Sequence, residues 1–258
     1  MMEKKYKLTE ETINVDGRTL YRIEALKDFN DVKKGDKGGF IENGSNLSQS
    51  GDCWVYGNAK VSDNAMVCDN AKVYGNARVY CNAWVFGNAM VSVNALLIDK
   101  ARVYGNAQVR GNVVVYDNAE ISGDAKIFGN AQIRCDAVVC EDAKIYGHAI
   151  VCGNADVYGN ARIYGNAEVS GNAQVFGNTE IRGDAVITNK SDYILFKNWW
   201  SSGRFFTWTR SNNMWKVGCF YGTGEELIEK AYKDSEMSGE EYERVVKYVE
   251  SILKANKL

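Results

Sequence analysis

A six-residue pattern runs without interruption from Val55 to Ile187 and limits what this chain can fold into. One position of each hexad is Val, Ile or Leu, and the residue four places later is small, nearly always Ala. Val113 and Thr179 are the departures from Ala, and a pair such as Gly57-Asn58 separates the two positions. A fixed short period of this kind indicates a repeat architecture, in which each unit contacts its neighbours along the chain.

The hexad predicts a short strand followed by a corner. In the segment Ala-x-Val-x, alternation points Ala and Val to the inside and the two x residues to the solvent. The Gly-Asn or Asp-Asn pair supplies the corner, because these residues tolerate positive φ better than others. Three strands and three corners make a triangular coil, so residues eighteen apart stack on one another. Amides such as Asn76, Asn130 and Asn166 are then expected to hydrogen-bond along the axis, and a ligand role for one of them is the alternative.

Hexads such as VYGNAK, VSDNAM and IRGDAV resemble the repeats of the hexapeptide-repeat superfamily, whose members form a left-handed parallel β-helix. The resemblance covers about half of the chain and implies a mainly β, triangular solenoid. Since members of the superfamily are usually trimeric, it also implies a homotrimer. One position departs from the usual repeat, because the residue after the aliphatic one is often Tyr, Phe or Arg here.

The residues before the repeat are predicted to cap its first coil. INVDGRTLYRIEAL alternates around Asp16-Gly17, a strong signal for a two-residue hairpin. The exposed end of a β-helix is an open sheet edge that must be covered. We therefore assign residues 1–50 to an N-terminal hairpin and cap, and residues 51–188 to the β-helix.

Residues 189–258 are predicted to form a small α+β domain that caps the other end. The segments DYILFKNWW, GRFFTWTRSN and NMWKVGCFYG indicate antiparallel strands, the last two joined at Asn212-Asn213. Two helices follow, and their predicted capping boxes are Thr223 with Glu226 and Ser238 with Glu241.

Charge and composition exclude several functions. A net charge of -2 and a pI of about 5.7 argue against general nucleic-acid binding, which needs a basic surface. No apolar run approaches the roughly 18 residues of a membrane span, so we expect no membrane partner and a cytoplasmic location. The seven cysteines include no CxxC pair, and we predict neither a metal site nor a cofactor.

Acyl transfer is the enzymatic alternative that the resemblance implies, because many superfamily members are CoA-dependent acyltransferases with a histidine as general base. The sequence has one histidine, His148, in KIYGHAIVC, where Asn is usual. The six-residue count runs through His148 without an insertion that could build a pocket. We therefore predict no catalytic residue, and His148 stays as the single candidate.

Outward side chains divide into three faces when the sequence is read every eighteen residues. One face is apolar, which is costly to leave in water, and is expected to be buried between subunits. Its residues are Tyr80, Leu96, Ile98, Val114, Tyr116, Ile150 and Cys152. A second face mixes rings and cations, which suits a phosphate-bearing, ring-containing ligand, or else cross-strand pairing on a solvated sheet. It carries Tyr56, Lys72, Tyr74, Arg110, Lys126, Phe128, Lys144, Tyr146, Arg162 and Tyr164, of which Lys126, Lys144, Tyr146 and Arg162 are the candidate ligand-binding residues.

A second candidate binding site lies in the first strand of the hairpin at Asn212-Asn213. The predicted site residues are Arg204, Phe206, Trp208 and Arg210 on one side of that strand, with Trp215 opposite Arg210 and Tyr221 opposite Arg204. Arginines that frame aromatic rings suit a nucleotide-like anion, because rings stack on a base and guanidinium groups bind phosphate. The alternative is that the rings form the domain core and the arginines lie at its rim.

The sequence therefore predicts a non-catalytic, homotrimeric binding protein that captures a small anionic, nucleotide-derived ligand at subunit or domain junctions. The chain resembles hexapeptide-repeat proteins carried by bacteria and their phages, which allows a role in sequestering a host signal molecule. Two alternatives stay open. One is a CoA-dependent acyltransferase that uses His148, and the other is a structural rod or adaptor whose terminal domain docks another protein.

Overall fold

A computed structural model of the chain describes residues 3–198 and 202–255. The last two residues of the predicted strand DYILFKNWW, Trp199 and Trp200, lie outside the described residues. The described part is mainly β, with a parallel β-solenoid between an N-terminal hairpin and a C-terminal unit of four strands and two helices.

An antiparallel hairpin opens the chain and continues into the first coil. Its strands are β1 (Tyr6–Val15) and β2 (Arg18–Ala25), and β3 (Lys37–Ile41) pairs antiparallel with β2. Asp16 and Gly17 have φ values of 53° and 83°, which confirms the predicted turn. Trp54 is buried under this region and packs edge-on against Phe29 at a centroid distance of 5.4 Å.

The solenoid consists of short strands at six-residue intervals. They are β4 (Trp54–Val55), β5 (Lys60–Val61), β6 (Met66–Val67), β7 (Lys72–Val73), β8 (Arg78–Val79), β9 (Trp84–Val85), β10 (Met90–Val93), β11 (Leu96–Leu97), β12 (Arg102–Val103), β13 (Gln108–Gly111), β14 (Val114–Val115) and β15 (Glu120–Ile121). The later coils contain β16 (Lys126–Gly129), β17 (Gln132–Ile133), β18 (Val138–Val139), β19 (Lys144–Ile145), β20 (Ile150–Val151), β21 (Asp156–Val157), β22 (Arg162–Ile163), β23 (Glu168–Val169), β24 (Gln174–Val175), β25 (Glu180–Ile181) and β26 (Val186–Ile187).

Every third strand pairs in parallel, which produces three faces. Face 1 runs from β5 to β26, face 2 from β4 to β25, and face 3 from β6 to β24. The register is eighteen residues, as in the pairing of Val91 with Val109, and three hexads per coil are therefore confirmed. The first coil is longer, because Phe40 of β3 pairs with Lys60, twenty residues on.

The interior of the solenoid is made of the Ala and aliphatic positions of the hexad. These side chains are fully buried from Ala59 to Ile187, as predicted. Thr179 occupies an Ala position, and its hydroxyl donates a hydrogen bond of 2.7 Å to the carbonyl of Phe176. At the corners the first residue of each pair adopts positive φ, usually as Gly or Asp. The β-branched Val93 also does so, with φ of 68°.

The C-terminal unit is a four-stranded antiparallel sheet covered by two helices. After a short 3₁₀ turn at Lys190–Asp192 come β27 (Tyr193–Lys197), β28 (Phe205–Thr209), β29 (Met214–Val217), β30 (Phe220–Gly222), α1 (Gly224–Asp234) and α2 (Glu236–Ala255). The predicted segment NMWKVGCFYG is two strands rather than one, because the chain turns at Gly218 with φ of 53°. This turn puts Lys216 opposite Tyr221.

One helix start was predicted correctly and the other was not. Thr223 and Glu226 form the predicted capping box of α1. The second helix begins at Glu236, so Ser238 and Glu241 lie inside it and do not form its cap. Ser235, the single residue between the two helices, caps the second one instead, because its Oγ accepts a hydrogen bond of 3.1 Å from the backbone N–H of Ser238.

Candidate functional site

Corner amides form the predicted ladder along the solenoid. The Nδ2 of Asn94 donates to the Oδ1 of Asn112 at 3.0 Å, and Asn112 donates in the same way to Asn130 at 3.0 Å. Asn166 donates to Asp184 at 3.1 Å at the far end of this corner. The corner asparagines are engaged with one another, which supports the structural interpretation of these residues.

His148 occupies one position of this same corner. Its side chain is exposed, and its Nε2 lies 3.5 Å from the Nδ2 of Asn130. Its backbone N–H donates to the carbonyl of Gly165 at 2.8 Å, as the equivalent N–H does in other coils. Strands continue on both sides at the six-residue interval. Among the described residues, no carboxylate forms an ion pair with His148 that could orient it as a base.

The predicted ring site on β28 is the core of the C-terminal unit. Phe206, Trp208 and Trp215 are at most 2% exposed and pack with Leu227 and Val246 of the helices. Their rings are therefore covered and have no free face on which a base could stack.

The predicted pairings across the hairpin were wrong. Trp215 lies opposite Trp208 rather than Arg210. Tyr221 is on β30 opposite Lys216 rather than beside Arg204, and its hydroxyl donates to the carbonyl of Arg182 at 3.1 Å. The shift arises because the first turn spans four residues, 210–213, instead of the predicted two, and because a second turn follows at Gly218.

A cavity of about 220 Å³ lies where the last coils of face 2 meet the C-terminal sheet. Arg162 and Glu180 line it from the solenoid, and Arg204, Thr207 and Lys216 line it from the sheet. The hydroxyl of Thr207 accepts a hydrogen bond of 3.2 Å from the backbone N–H of Glu180. We call this space the junction cavity. It brings together Arg162 and Arg204, two predicted site residues that are 42 positions apart.

Three cations and one carboxylate determine the charge of the junction cavity. The Oε2 of Glu180 is 3.0 Å from the Nζ of Lys216, and its Oε1 is 3.5 Å from an amino nitrogen of Arg162. The hydroxyl of Tyr164 donates to the same carboxylate at 3.1 Å. The Arg204 side chain is exposed and, within the described residues, forms no ion pair. The junction cavity therefore carries more positive than negative charge. Arg204 is the cation available there to bind an anion.

Glu180 and Lys216 were missed by the sequence analysis. Glu180 ends a row on face 2 in which Lys126, Lys144 and Arg162 precede it at eighteen-residue steps. An acidic residue that ends a row of basic residues is a sequence signal for a charged contact between the solenoid and the next unit. Lys216 gave no comparable signal, because its position follows from the unforeseen turn at Gly218.

The predicted ligand face carries a stack of rings beside the basic row. Phe128 and Tyr146 stack at a centroid distance of 4.8 Å, and Tyr146 stacks on Tyr164 at 4.7 Å. The guanidinium of Arg182 lies 5.5 Å from the ring centroid of Tyr164. Burial raises the pKa of Tyr146 and of Tyr164, and the negative charge of Glu180 acts in the same direction.

The predicted apolar strip lies on face 1 in two neighbouring columns, one with Leu96, Val114 and Ile150 and one with Tyr80, Ile98, Tyr116 and Cys152. Cys152 is buried and the other six residues of the strip are half-buried. Arg134 lies within the strip, between the coils of Tyr116 and Cys152, and interrupts it. No group of three or more His, Cys, Asp or Glu that could hold a metal ion is present in residues 3–198 and 202–255.

Known proteins match parts of the solenoid. The family model described as the YdcK beta solenoid repeat matches residues 161–177. A protein of Escherichia coli (strain K12) named "Uncharacterized acetyltransferase YdcK" is 41% identical over 61 residues, which is 20% of this chain and 19% of that protein. The chain fits a hexapeptide-repeat-type superfamily. It spans about a fifth of the length of the curated relative, and the match therefore concerns the repeat rather than a whole enzyme.

The helices of the described part were also compared with the requirements of a membrane span. Neither α1 nor α2, nor the short 3₁₀ turn before them, is long and apolar enough to cross a membrane.

Proposed function

We propose that this chain is a non-catalytic, homotrimeric binding protein that captures a small anionic, nucleotide-derived ligand. The observation that carries the proposal is the excess of positive charge in the junction cavity. Arg162, Arg204 and Lys216 face a single carboxylate there, that of Glu180. The cavity volume of about 220 Å³ is smaller than a typical ligand pocket of about 300–1,000 Å³. It therefore suits the phosphoryl end of a ligand, with the remainder of the molecule outside.

The guanidinium of Arg204 supplies the first contact. Because Arg204 is exposed and forms no ion pair with residues 3–198 or 202–255, binding of an anion there does not require such a pair to break. Arg162 is held by Glu180 at 3.5 Å, a long pair that an arriving phosphate can replace in part. Guanidinium groups bind phosphate through paired N–H donors, which favours phosphate over a simple halide ion.

The homotrimer is proposed from the apolar strip on face 1. A row of half-buried aliphatic and aromatic residues on one flat sheet is costly to expose to water. A closed three-fold arrangement covers three copies of the same strip with one interface type. Sequestration of a host signal molecule would follow from tight capture without turnover.

Titration with inorganic pyrophosphate tests capture at the junction cavity. Isothermal titration calorimetry of the full chain should give saturable binding that weakens at least tenfold in the variant Arg204→Ala. Arg244→Ala removes another exposed guanidinium, on α2, and should leave the affinity unchanged. Absence of binding, or equal affinity in both variants, would contradict capture at this cavity.

A second candidate function is acyl transfer, which the matched protein's name favours. In that case His148 would act as a base on a substrate hydroxyl or amine bound at the corner. An assay of acetyl-CoA turnover with a panel of amine and hydroxyl acceptors distinguishes acyl transfer from capture without turnover. Turnover that disappears in His148→Ala would support acyl transfer and overturn the non-catalytic proposal, and its absence with every acceptor would support capture.

A further inference from the structure

The aromatic column on face 2 is interrupted in the middle of the solenoid. Read at eighteen-residue steps, the column is Tyr56, Tyr74, Ser92, Arg110, Phe128, Tyr146 and Tyr164. Tyr56 and Tyr74 contact each other edge-on at 5.8 Å, and the three rings from Phe128 onward are stacked in parallel. In the two coils between these groups, the column position is occupied by Ser92 and Arg110 and carries no ring. Among the described residues, no ring contacts Phe128 on the side away from Tyr146.

A hollow of about 410 Å³ lies at this interruption. Arg110, Phe128 and Lys126 line it, and Arg110 and Phe128 are direct neighbours in the parallel register of β13 and β16. The corner residues on the floor are Gly111 and Gly129, so no side chain fills the space there. Its volume lies within the range of small-molecule sites, about 300–1,000 Å³, and it is nearly twice that of the junction cavity.

The cations around the hollow form no ion pair with any residue that the structure describes. On face 2, Lys72 pairs with Asp31 and Arg162 pairs with Glu180. Arg110 and Lys126, by contrast, form no ion pair in the part of the chain that the structure describes. Both side chains are exposed, and Phe128 is 39% exposed although it ends a stack of rings. A ring and two unneutralised cations thus face the same space.

The small residue Ser92 gives Arg110 room to move. Ser92 lies directly beside Arg110 in the parallel register of β10 and β13. Burial raises the pKa of Tyr74, and the positive charges of Lys72 and Arg110 oppose that shift, so the guanidinium of Arg110 lies near enough to Tyr74, on the Ser92 side, to act on its hydroxyl. A large side chain in place of Ser92 would push Arg110 onto Phe128 and close the hollow.

The corner next to the hollow is strained. In the row of corner residues from Gly57 to Gly183 at eighteen-residue steps, Val93 is the one residue that is not Gly. It holds φ of 68° and is 39% exposed. A β-branched residue in the left-handed region is a genuine outlier, and such strain is concentrated at functional sites. Val93 pairs with Gly111 and therefore adds an apolar edge beside the hollow.

We propose that this hollow is a second binding site, for a ligand that carries a planar aromatic ring and a phosphate group. The ring stacks on Phe128 and is covered on its other face by the guanidinium of Arg110. The phosphate pairs with Lys126. Stacking on an aromatic side chain and on an arginine plane is tolerant of the identity of the ring. The site therefore accepts mononucleotides as a class of ligand. This proposal is independent of anion binding in the junction cavity.

Binding of adenosine 5′-monophosphate tests the second site. Ligand-observed NMR is recorded on the full-length Arg204→Ala variant, in which anion binding at the junction cavity is weakened. It should show saturable binding of this nucleotide, and at least tenfold weaker binding of both adenosine and inorganic pyrophosphate. Phe128→Ala should weaken nucleotide binding at least fivefold. Phe176→Ala is the matched control, because Phe176 also ends a parallel stack of rings and is 44% exposed, but on face 3. Equal loss in both variants would overturn the proposal.

Two further variants separate this site from folding defects and from the junction cavity. Ser92→Phe extends the ring column without removing any ligand contact, and it should abolish nucleotide binding while the melting temperature stays equal or rises. Arg204→Ala should leave nucleotide binding at the hollow unchanged. If Ser92→Phe binds the nucleotide as well as the parent chain, or if Arg204→Ala abolishes that binding, the hollow is not the site.

Discussion

Lys216 of β29 and Glu180 of β25 form an ion pair of 3.0 Å that joins the C-terminal sheet to the last coil of face 2. Only about a tenth of the Lys216 side chain is exposed, so the pair is largely shielded from solvent. The ammonium group also donates to the carbonyl of Gly218. The pair therefore fixes the turn that shapes the junction cavity as well as the charge inside it.

Neutralising this carboxylate should weaken the fold and strengthen anion binding. In Glu180→Gln the volume is kept, but Arg162 and Lys216 lose their shared counter-charge. We expect a loss of about 1–3 kcal/mol in the free energy of unfolding, since Lys216 is shielded but about a quarter of the Glu180 side chain is exposed. Pyrophosphate should bind more tightly. Urea unfolding and calorimetry measure the two effects, with Glu168→Gln on β23 as the control outside the cavity. Weaker pyrophosphate binding in Glu180→Gln would contradict the charge argument.

Relieving the strained corner should stabilise the solenoid. Glycine adopts the left-handed region at no steric cost, whereas Val93 holds it at a cost of about 1–3 kcal/mol. Part of the stability gained by relieving this strain is offset by the greater conformational freedom of glycine in the unfolded chain. We therefore expect Val93→Gly to raise the free energy of unfolding by about 1 kcal/mol in urea. The control Val114→Gly, at a regular strand position, should lower the free energy of unfolding. If both variants are less stable than the parent, Val93 is not strained.

Restoring the missing amide should complete the corner ladder. In His148→Asn the new side chain can accept from Asn130 and donate to Asn166, as equivalent residues do in neighbouring coils. Each net hydrogen bond contributes about 0.5–1.5 kcal/mol. The variant should therefore be more stable than the parent in urea unfolding, and His148→Ala should not be. A less stable His148→Asn variant would mean that the histidine makes a contribution beyond the ladder.

Alkaline pH should weaken the N-terminal cap through Tyr6. Its buried hydroxyl donates to the carbonyl of Leu47 at 2.6 Å, and burial raises the pKa of Tyr6 from 10.0 to about 12. Because the pKa is higher in the folded chain, this stabilisation is complete below pH 10 and is lost as the pH rises toward 12. The stability difference between the parent and Tyr6→Phe should therefore shrink by about 1 kcal/mol between pH 9 and pH 11. Tyr248→Phe, at an exposed tyrosine, serves as the control. A stability difference between the parent and Tyr6→Phe that stays constant from pH 9 to pH 11 would contradict the role given to Tyr6.

The repeat could be predicted from sequence because one short rule governs each coil. Ala and Val alternate inward at every hexad, and the eighteen-residue register follows from closing three strands. The hairpin at Asp16-Gly17 and the cap of α1 at Thr223 were likewise predicted, since both depend on a few neighbouring residues.

The C-terminal unit was predicted less well because its contacts are not periodic. The turn at Gly218 has no strong local signal, and it displaced Tyr221 from the position expected for it. The same turn brought Lys216 to Glu180. Alternation correctly placed Phe206 and Trp208 on one side of β28, but it could not tell which side the helices would cover.

Native mass spectrometry of the chain purified from its natural host tests the central proposal most directly. The account predicts a species of three 28.7 kDa chains that retains a phosphate-bearing, nucleotide-derived molecule. The molecule held at the junction cavity should be lost in Arg204→Ala, whereas a mononucleotide held at the hollow beside Phe128 should remain. A single bare chain, together with a melting temperature that mononucleotides and pyrophosphate leave unchanged, would contradict capture of an anion by a trimer.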